Sequence, residues 1–265
     1  MRRGQLFWGV ALLLIGALMF ANTAGIRLPN GNSLMSLFWP LVLLGSGVYV
    51  LAGVFMRRNV ETESARVSLE GAREASINIS HGAGELKIHG GASGNDLATG
   101  SFMGGLDQKA SLNGERLEVR MRPASEFVDF PFFGMHAQMD WDVALNASIP
   151  TALEMNLGAN KSSINLLDMN VTDLRLKSGA SDTDVTFPSR GRLKADFEIG
   201  AASLTLVIPE GVSARIRSSI GAGDVHVDSS RFPRQNGLHQ SPDFETAANA
   251  VDINVKGGAC SVRIK

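Results

Sequence analysis

From residue 70 onward, apolar and polar residues alternate in short runs separated by Gly, Asn, Asp and Pro. Such runs include Ser76–Ile79, Glu85–Ile88 and Leu174–Lys177. Alternation of this kind predicts half-buried β-strands, because successive side chains of a strand point to opposite faces. No stretch after residue 60 has the apolar spacing of an amphipathic helix. The pattern therefore predicts an all-β domain over residues 70–265.

A Gly-Ala step recurs through this domain, and four successive copies are spaced by 21 residues. Apolar residues stand five and three positions before each glycine and six positions after it, and Ser218 alone breaks these columns. Six aligned copies are typical of a repeat architecture. The structural repeat glycines are Gly82, Gly158, Gly179, Gly200, Gly221 and Gly258.

Each repeat is predicted to form one strand before the Gly-Ala step and one after it. Glycine suits a corner at which neighbouring backbones approach closely or φ is positive, and the small Ala suits a crowded interior. One unit cannot bury its apolar columns alone, whereas equivalent strands stacked about 4.8 Å apart can. We therefore predict a parallel β-solenoid, or β-helix-like stack, of 21-residue repeats. The alternative is an antiparallel β-sandwich with strands of similar length.

Two insertions interrupt the repeat, at 98–140 and 228–247. The first contains a dense apolar loop, Phe127–Met135, which either caps the solenoid or forms an exposed contact site for a partner. The second contains several Pro and Gly and is predicted to be a polar surface loop. The candidate interaction residues of the apolar loop are Phe127, Phe130, Phe132 and Phe133.

The first 58 residues have a different pattern, with two apolar stretches at 6–24 and 37–56 that contain no charged residue. A helix of about 20 residues spans roughly 30 Å, which is the thickness of the hydrocarbon core of a bilayer. We therefore predict a two-helix transmembrane hairpin over 1–58, followed by a linker at 59–69. A cleaved signal peptide is the alternative for the first stretch.

The arginines predict the orientation of this hairpin. Residues 1–58 contain five Arg and no Asp, Glu or Lys. Two arginines precede the first stretch, two follow the second, and only Arg27 lies between them. The positive-inside rule then predicts a multi-pass protein of the inner membrane with both termini in the cytoplasm.

The rest of the chain has 20 Lys+Arg against 26 Asp+Glu. This mildly acidic balance gives no electrostatic reason to bind nucleic acid. The single cysteine, Cys260, excludes an intrachain disulfide and a cysteine-cluster metal site. We expect it to be a buried, inert thiol.

Candidate catalytic chemistry is limited to the carboxylates of Asp182 and Asp224. At two repeats apart they would stand roughly 10 Å from each other, close to the separation of about 6.5–9.5 Å in inverting glycosidases. Asp182-Thr183-Asp184 offers Ca²⁺ ligands, but no glycine-rich calcium loop accompanies it. The histidines are predicted to lie at the surface or at strand edges. We predict no catalytic residue, metal site or cofactor, and expect that the protein is not an enzyme.

Several segments resemble a known family. The hairpin, whose helices begin with Leu6-Phe7-Trp8 and Leu37-Phe38-Trp39, resembles the membrane region of LiaF-like proteins, which are bacterial accessory regulators of envelope-stress signalling. The segments GAGELKI, WDVALNASIP, GAASLTLVIPEGVSARIRSSIGAGDVHV and GGACSVRIK resemble the toastrack β-domain.

This resemblance implies a non-enzymatic, membrane-anchored accessory protein of envelope-stress signalling. Its partners would be the lipid bilayer and a membrane sensor kinase or other envelope protein. Toastrack domains also occur in proteins regarded as adhesins, so an adhesin-like or structural envelope module is the alternative. A carbohydrate-active β-helix enzyme is the third hypothesis, because such folds also carry enzymes.

Overall fold

The computed structural model of the chain describes residues 62–124, 139–235 and 237–265, together with eleven helical residues before residue 48. The described chain after residue 61 is almost entirely β. In chain order the strands are β1 (Thr62–Ser68), β2 (Glu74–Ala92), β3 (Asp96–Met103), β4 (Leu106–Asn113), β5 (Arg116–Pro123), β6 (Trp141–Asn146), β7 (Thr151–Asn165), β8 (Val171–Ser178), β9 (Asp182–Thr186), β10 (Arg192–Ile199), β11 (Ser203–Val207), β12 (Ser213–Val227), β13 (Arg234–Gln235), β14 (Leu238–Gln240) and β15 (Ala250–Ile264).

The predicted membrane spans, 6–24 and 37–56, fall largely outside the described residues. Within the part that is described, no helix has the length and apolar character needed to cross a bilayer. This finding corrects the localisation predicted from the sequence. A multi-pass inner-membrane protein with both termini in the cytoplasm is not supported.

The repeats stack in parallel, as predicted for a β-solenoid. The order of the stack is β2, β7, then β8 with β9, then β10 with β11, then β15 and β12. Equivalent residues pair in register, as Ile77 does with Leu153 before the corner and Ile88 with Ile164 after it. The parallel pairing of consecutive repeats confirms the all-β solenoid and excludes the antiparallel sandwich.

The last repeat does not stand at the end of the stack. Strand β15 lies between β10 and β12, so that Ile253 pairs with Ala195 on one side and with Ile216 on the other. After the corner, β15 lies in the same way between β11 and β12. The order of the repeats in space therefore differs from their order in the sequence.

The three apolar columns form the core. Almost all of their side chains are fully buried, and Ser218, the residue that breaks the pattern, is exposed. The two halves of the repeats face each other across the core. Phe187 and Phe197, which lie on either side of a turn, show this: their rings pack edge to face with centroids 6.3 Å apart. Each fully buried aliphatic or aromatic side chain contributes about 1.5–3 kcal/mol, so the columns are the main source of stability.

Strands of the first insertion, together with β1 and β6, close one end of the stack. Strand β5 pairs with the first half of β2, and β4 pairs with β5 in a hairpin. Strand β6 pairs with the second half of β2, β3 pairs with β6, and β1 pairs with β3. Strand β1 occupies most of the stretch that was expected to be a linker, 59–69.

The second insertion, 228–247, is not the polar surface loop that its Pro and Gly predicted. Phe232 and Phe244 within it are only 1% and 2% exposed. Strand β14 pairs antiparallel with Arg215 and Ile216 of β12. The Arg215 guanidinium lies 4.2 Å from the centre of the Phe244 ring. The insertion is thus a cap over the first half of β12, held by two buried aromatic rings.

Candidate functional site

The repeat glycines form one column at the corner between the two halves of the stack. Backbone hydrogen bonds join successive rungs there: Ala180 N donates to Gly158 O at 3.3 Å, and Ala201 N to Gly179 O at 2.9 Å. Ala259 N donates to Gly200 O at 3.0 Å, which continues the column into the inserted strand. The corner is therefore built from backbone atoms in direct contact.

Close approach of the backbone excludes a Cβ at two of these positions and would crowd one at two more, Gly221 and Gly258. A Cβ on Gly200 would stand 2.6 Å from Gly179 O, and one on Gly158 would overlap Gly82 O. Gly82 differs, because a Cβ there would meet only Met139 Cε, at 3.6 Å. The steric requirement for glycine is thus strongest at Gly158 and Gly200, whereas a Cβ on Gly179 would stand 3.4 Å from Gly158 O.

The alanines beside the glycines do not fill an interior corner, which corrects the sequence-based expectation. Only Ala83 is buried. Two consecutive residues, Gly and Ala, face outward where the strand changes direction, so the corner is a solvent-exposed ridge of small residues. The exposed alanines are Ala159, Ala180, Ala201, Ala222 and Ala259.

A shallow groove of about 830 Å³ runs beside this ridge, across several of the stacked repeats. Backbone around Gly158, Gly179 and Gly200 lines it, together with outward-facing side chains two positions before each glycine. In that row, Lys177 Nζ lies 3.0 Å from Glu198 Oε2, and both side chains are exposed. Lys256 of β15 pairs in register with Glu198. The groove thus offers a lysine–glutamate–lysine row beside an accessible backbone.

The face before the corner carries charges that alternate in sign from strand to strand. Lys194 lies in register between Asp173 and Asp252, and Asp252 lies between Lys194 and Arg215. Asp252 also accepts a hydrogen bond from Arg217 Nη1 at 2.8 Å. Opposite charges on adjacent strands stabilise a sheet, so these pairs favour the inserted position of β15.

A buried polar cluster lies beneath the corner of the first two rungs. His81 is 2% exposed, and its Nε2 donates to Met139 O at 2.7 Å. A carbonyl only accepts, so Nδ1 is the acceptor and receives the amide of Asn160 at 3.3 Å. Asn160 Nδ2 also donates to Ser162 Oγ at 2.9 Å. His81 is thus a buried neutral histidine, whereas the sequence predicted one at the surface or at a strand edge.

Burial lowers the pKa of His81, and this effect outweighs the Met139 carbonyl and the Asp140 carboxylate, which both raise it. The His81 ring packs against Trp141 with centroids 5.3 Å apart. Among the described residues, Trp141 Nε1 and Asn160 Oδ1 are buried without a hydrogen-bond partner. Protonating His81 would add a buried charge to this cluster, which is unfavourable.

The candidate carboxylate pair is not brought together. The strands intervening between Asp182 and Asp224 contribute Ser203 and Ser261, in that order. Asp182 and Asp224 are therefore three strand spacings apart, about 14 Å, instead of two. This separation exceeds the glycosidase range, because the insertion of β15 adds a strand between them.

The other candidate residues are placed as follows. Thr183, between the two exposed aspartates, is buried and donates to Ser181 Oγ. In the described ranges, no group of three or more His, Cys, Asp or Glu is arranged to hold a metal ion. Cys260 is buried, and burial raises its pKa. Phe127, Phe130, Phe132 and Phe133 lie outside the described residues.

Sequence reasoning missed the groove and the cap. The signal for the groove was present, because a polar or charged residue stands two positions before every repeat glycine. These residues are Ser80, Asn156, Lys177, Glu198, Ser219 and Lys256. The alternation of charge became visible only with the order of the strands in space. The 21-residue spacing does not indicate the order of the strands in space, because that order depends on the tertiary fold.

Comparison with known proteins gives one family and one close structural likeness. The profile of Toast_rack_N, the N-terminal domain of toast_rack, DUF2154, matches residues 56–207, which is more than half of the chain. A crystal structure of a candidate cell adhesion protein from Clostridium sporogenes is 20% identical, with a TM-score of 0.70 over 77% of this chain and 98% of that one.

A candidate adhesin from Bacteroides fragilis also matches, at 8% identity and a TM-score of 0.32 over 77% of this chain and 97% of that one. At this TM-score the second likeness supports no conclusion. No curated protein matches the chain. The comparisons therefore support the toastrack part of the resemblance, and the family match begins at residue 56, after the segment that resembled LiaF-like proteins.

Proposed function

Because the chain belongs to the toastrack family, whose N-terminal domain its residues 56–207 match, we propose that it is a non-enzymatic, adhesin-like binding module of the cell envelope. The neighbour from Clostridium sporogenes is described as a candidate cell adhesion protein, and the two chains share a fold over nearly the whole of that neighbour. Likeness of fold alone does not assign a function, so the proposal depends on the corner surface.

The groove along the corner is the observation that carries this proposal. It is open, it runs across several rungs, and it combines exposed backbone with the charged row of Lys177, Glu198 and Lys256. A rigid surface of this kind suits an extended ligand that crosses the strands, such as a polymer or protein segment. Its exposed charges would contribute mainly to the specificity and rate of association.

Two other hypotheses have less support. The regulatory role in envelope-stress signalling rested on residues 1–58, which the family match leaves out almost entirely. The carbohydrate-active enzyme required a close carboxylate pair, and Asp182 and Asp224 are about 14 Å apart. The adhesin-like module requires neither feature.

The proposal is tested by co-sedimentation of the labelled full chain with isolated bacterial cell envelopes. The variant Lys177→Glu with Lys256→Glu reverses the two groove lysines. The matched control, Lys109→Glu with Lys161→Glu, makes the same change in net charge at exposed positions outside the groove lining. We expect the groove variant to bind at least about tenfold more weakly and the control to bind almost as the unchanged chain does.

Two results would contradict the proposal. Failure of the unchanged chain to bind envelopes would exclude an adhesin-like role, and equal loss in both variants would assign binding to net charge instead of the groove. Incubation with a panel of envelope polysaccharides is the companion assay. Release of reducing sugar by the chain, lost in Asp182→Asn, would favour the enzyme.

A further inference from the structure

The last strand of the stack has one open side. Strand β12 pairs with β15 along nearly its whole length. On its other side, the described pairing is limited to Arg215 and Ile216, which meet β14. The stretch from Arg217 to His226 is exposed at every residue except Ile220, which is half-buried. We call residues Arg217–Val227 of β12 the open edge.

The open edge has few of the usual features that prevent strands from pairing with other chains. Charged side chains, Pro and bulges protect sheet edges, since unpaired N–H and C=O groups are a template for a further strand. Strand β1 carries Glu63 and Arg66 and a bulge near its end, and β4 carries Lys109. From Ser218 to Val227 the open edge has one acidic residue, Asp224, and no Lys, Arg or Pro.

An apolar column of the core also ends uncovered at this edge. Val225 pairs in register with Val262, and Val262 pairs with Leu204. Both of these neighbours are fully buried, whereas Val225 is 37% exposed. It faces the same interior, but no described strand covers it from the other side. A further strand here would complete the column.

The backbone at Val225 is oriented for such a strand. Asp228 donates its amide to Ile264 of β15. Because the N–H and C=O groups of successive residues in a strand point to alternate sides, those of Val227 and Val225 point away from β15. In the described structure the N–H and C=O of Val225 have no hydrogen-bond partner, whereas the carbonyl of Val227 accepts a long hydrogen bond from Ser229 Oγ at 3.4 Å.

We propose that a second copy of this chain pairs with the open edge, antiparallel, with Val225 directly opposite Val225 of the partner subunit. In this register Asp224 lies opposite His226 of the partner subunit, and His226 lies opposite Asp224 of the partner subunit. Both side chains point outward and are exposed, and neither forms an ion pair in the described part of the chain. The two-fold contact therefore contains two complementary polar pairs around one apolar pair.

Self-complementarity is the reason to assign a second copy and not an unrelated strand. A two-fold contact must match one patch with itself, and few short segments do so. In the antiparallel pair, the segment Asp224-Val225-His226 of one subunit runs opposite the same segment of the other. The facing residues are then Asp with His, Val with Val, and His with Asp. The N–H and C=O of Val225 point to the open side in both subunits. In the proposed register, the two Val225 residues would therefore exchange a pair of backbone hydrogen bonds.

Cross-linking of the full chain tests the register. In the proposed pair the two Val225 Cα atoms are about 5.5 Å apart, within the range that a disulfide spans. The variant Val225→Cys should therefore form a disulfide-linked dimer under mild oxidation. Ser218→Cys is the control, because Ser218 is exposed on the same open edge but lies on the other side of the corner, too far from its counterpart across the two-fold axis for a disulfide to form. Buried Cys260 is present in both variants and gives the shared background.

Charge exchange tests the polar pairs, with sedimentation equilibrium of the full chain as the measurement. His226→Asp places like charges opposite each other and should abolish the dimer. Asp224→Lys combined with His226→Asp restores opposite charges and should restore it. Both positions are exposed, so the unfolding midpoints should remain close to that of the unchanged chain.

Three results would overturn the proposal. The first is a chain that remains monomeric at all concentrations tested. This result would contradict the proposal even if a different protein were found to bind the open edge. The second is equal cross-linking of Val225→Cys and Ser218→Cys, which would show contact without this register. The third is a dimer that persists unchanged in His226→Asp, which would place self-association elsewhere on the chain.

Discussion

The carbonyl oxygen of Gly179 lies 2.6 Å from the position that a Cβ on Gly200 would take. Neither glycine has a positive φ. Glycine is therefore required at Gly200 because one backbone contacts the next, and not because the corner needs a left-handed conformation. The contacting atom belongs to a hydrogen-bonded backbone and cannot rotate away as a flexible side chain can.

Gly200→Ala should destabilise the protein by about 1–3 kcal/mol, because the added methyl group must displace the rung beneath it. Gly82→Ala is the matched control, since it occupies the same repeat position and its Cβ would be in ordinary contact with Met139. Urea unfolding of both variants measures the difference in free energy. Equal losses would show that the column is not held by close approach.

Leu206→Ala should cost about 2–4 kcal/mol, because the side chain is fully buried in an apolar column and its removal leaves a cavity. Thr205→Ala, at the adjacent outward position, should cost well under about 1 kcal/mol. The comparison uses the same strand and the same denaturant. Similar effects at the two positions would contradict the inward and outward assignment.

Stability should fall with acid through His81. Its folded pKa lies below the value of 6.5 for an unfolded histidine, so the unfolded chain binds more protons below that pH. The contribution is fully present above pH 6.5 and is lost as the pH falls toward the folded pKa, with a slope of at most about 1.4 kcal/mol per pH unit. His81→Gln should flatten this part of the stability profile measured by urea unfolding.

His89→Gln is the control for that experiment, because His89 is exposed and hydrogen-bonded to Asp142 at 2.9 Å. It should leave the acid limb of the profile largely in place. A profile that keeps its slope in His81→Gln would assign the acid sensitivity to other groups.

Asp252→Lys should destabilise the stack by about 1–2 kcal/mol, because it places three basic residues in register across β10, β15 and β12. Asp252→Asn removes the attraction without adding repulsion and should cost less than about 1 kcal/mol. Salt should reduce the loss in the lysine variant, since exposed charges are screened. A loss that does not respond to salt would mean that packing, and not charge, is affected.

Much of the fold could be predicted from the sequence because the repeat is a local pattern. The columns containing Ile77, Ile88 and their equivalents are fixed by the period-two alternation of a strand and by the Gly-Ala step. The position of β15 could not be predicted in this way. A repeat fits between any two similar rungs, and the neighbours of β15 are selected by register and by charge pairs such as Arg217 with Asp252.

The candidate site was less predictable. Exposed alanines at the corner depend on two consecutive residues facing outward, which departs from strict alternation at that point. The cap over 228–247 depends on two phenylalanines within a segment whose Pro and Gly are typical of a surface loop. His81 is buried because residues Met139 and Asp140, far along the chain, pack against it. These features arise from tertiary contacts that a single sequence does not display.

The place of β15 also sets the order of events during synthesis. Strand β12 leaves the ribosome before β15, but its neighbour in the finished sheet is β15 and not β10 or β11. Until residues 250–264 have been made, the nascent chain has two unpaired parallel edges, one on each side of a gap one strand wide. Closure of this half of the stack thus waits for the synthesis of residues 250–264. A chain that stops before β15 would have both edges available for aggregation or proteolysis.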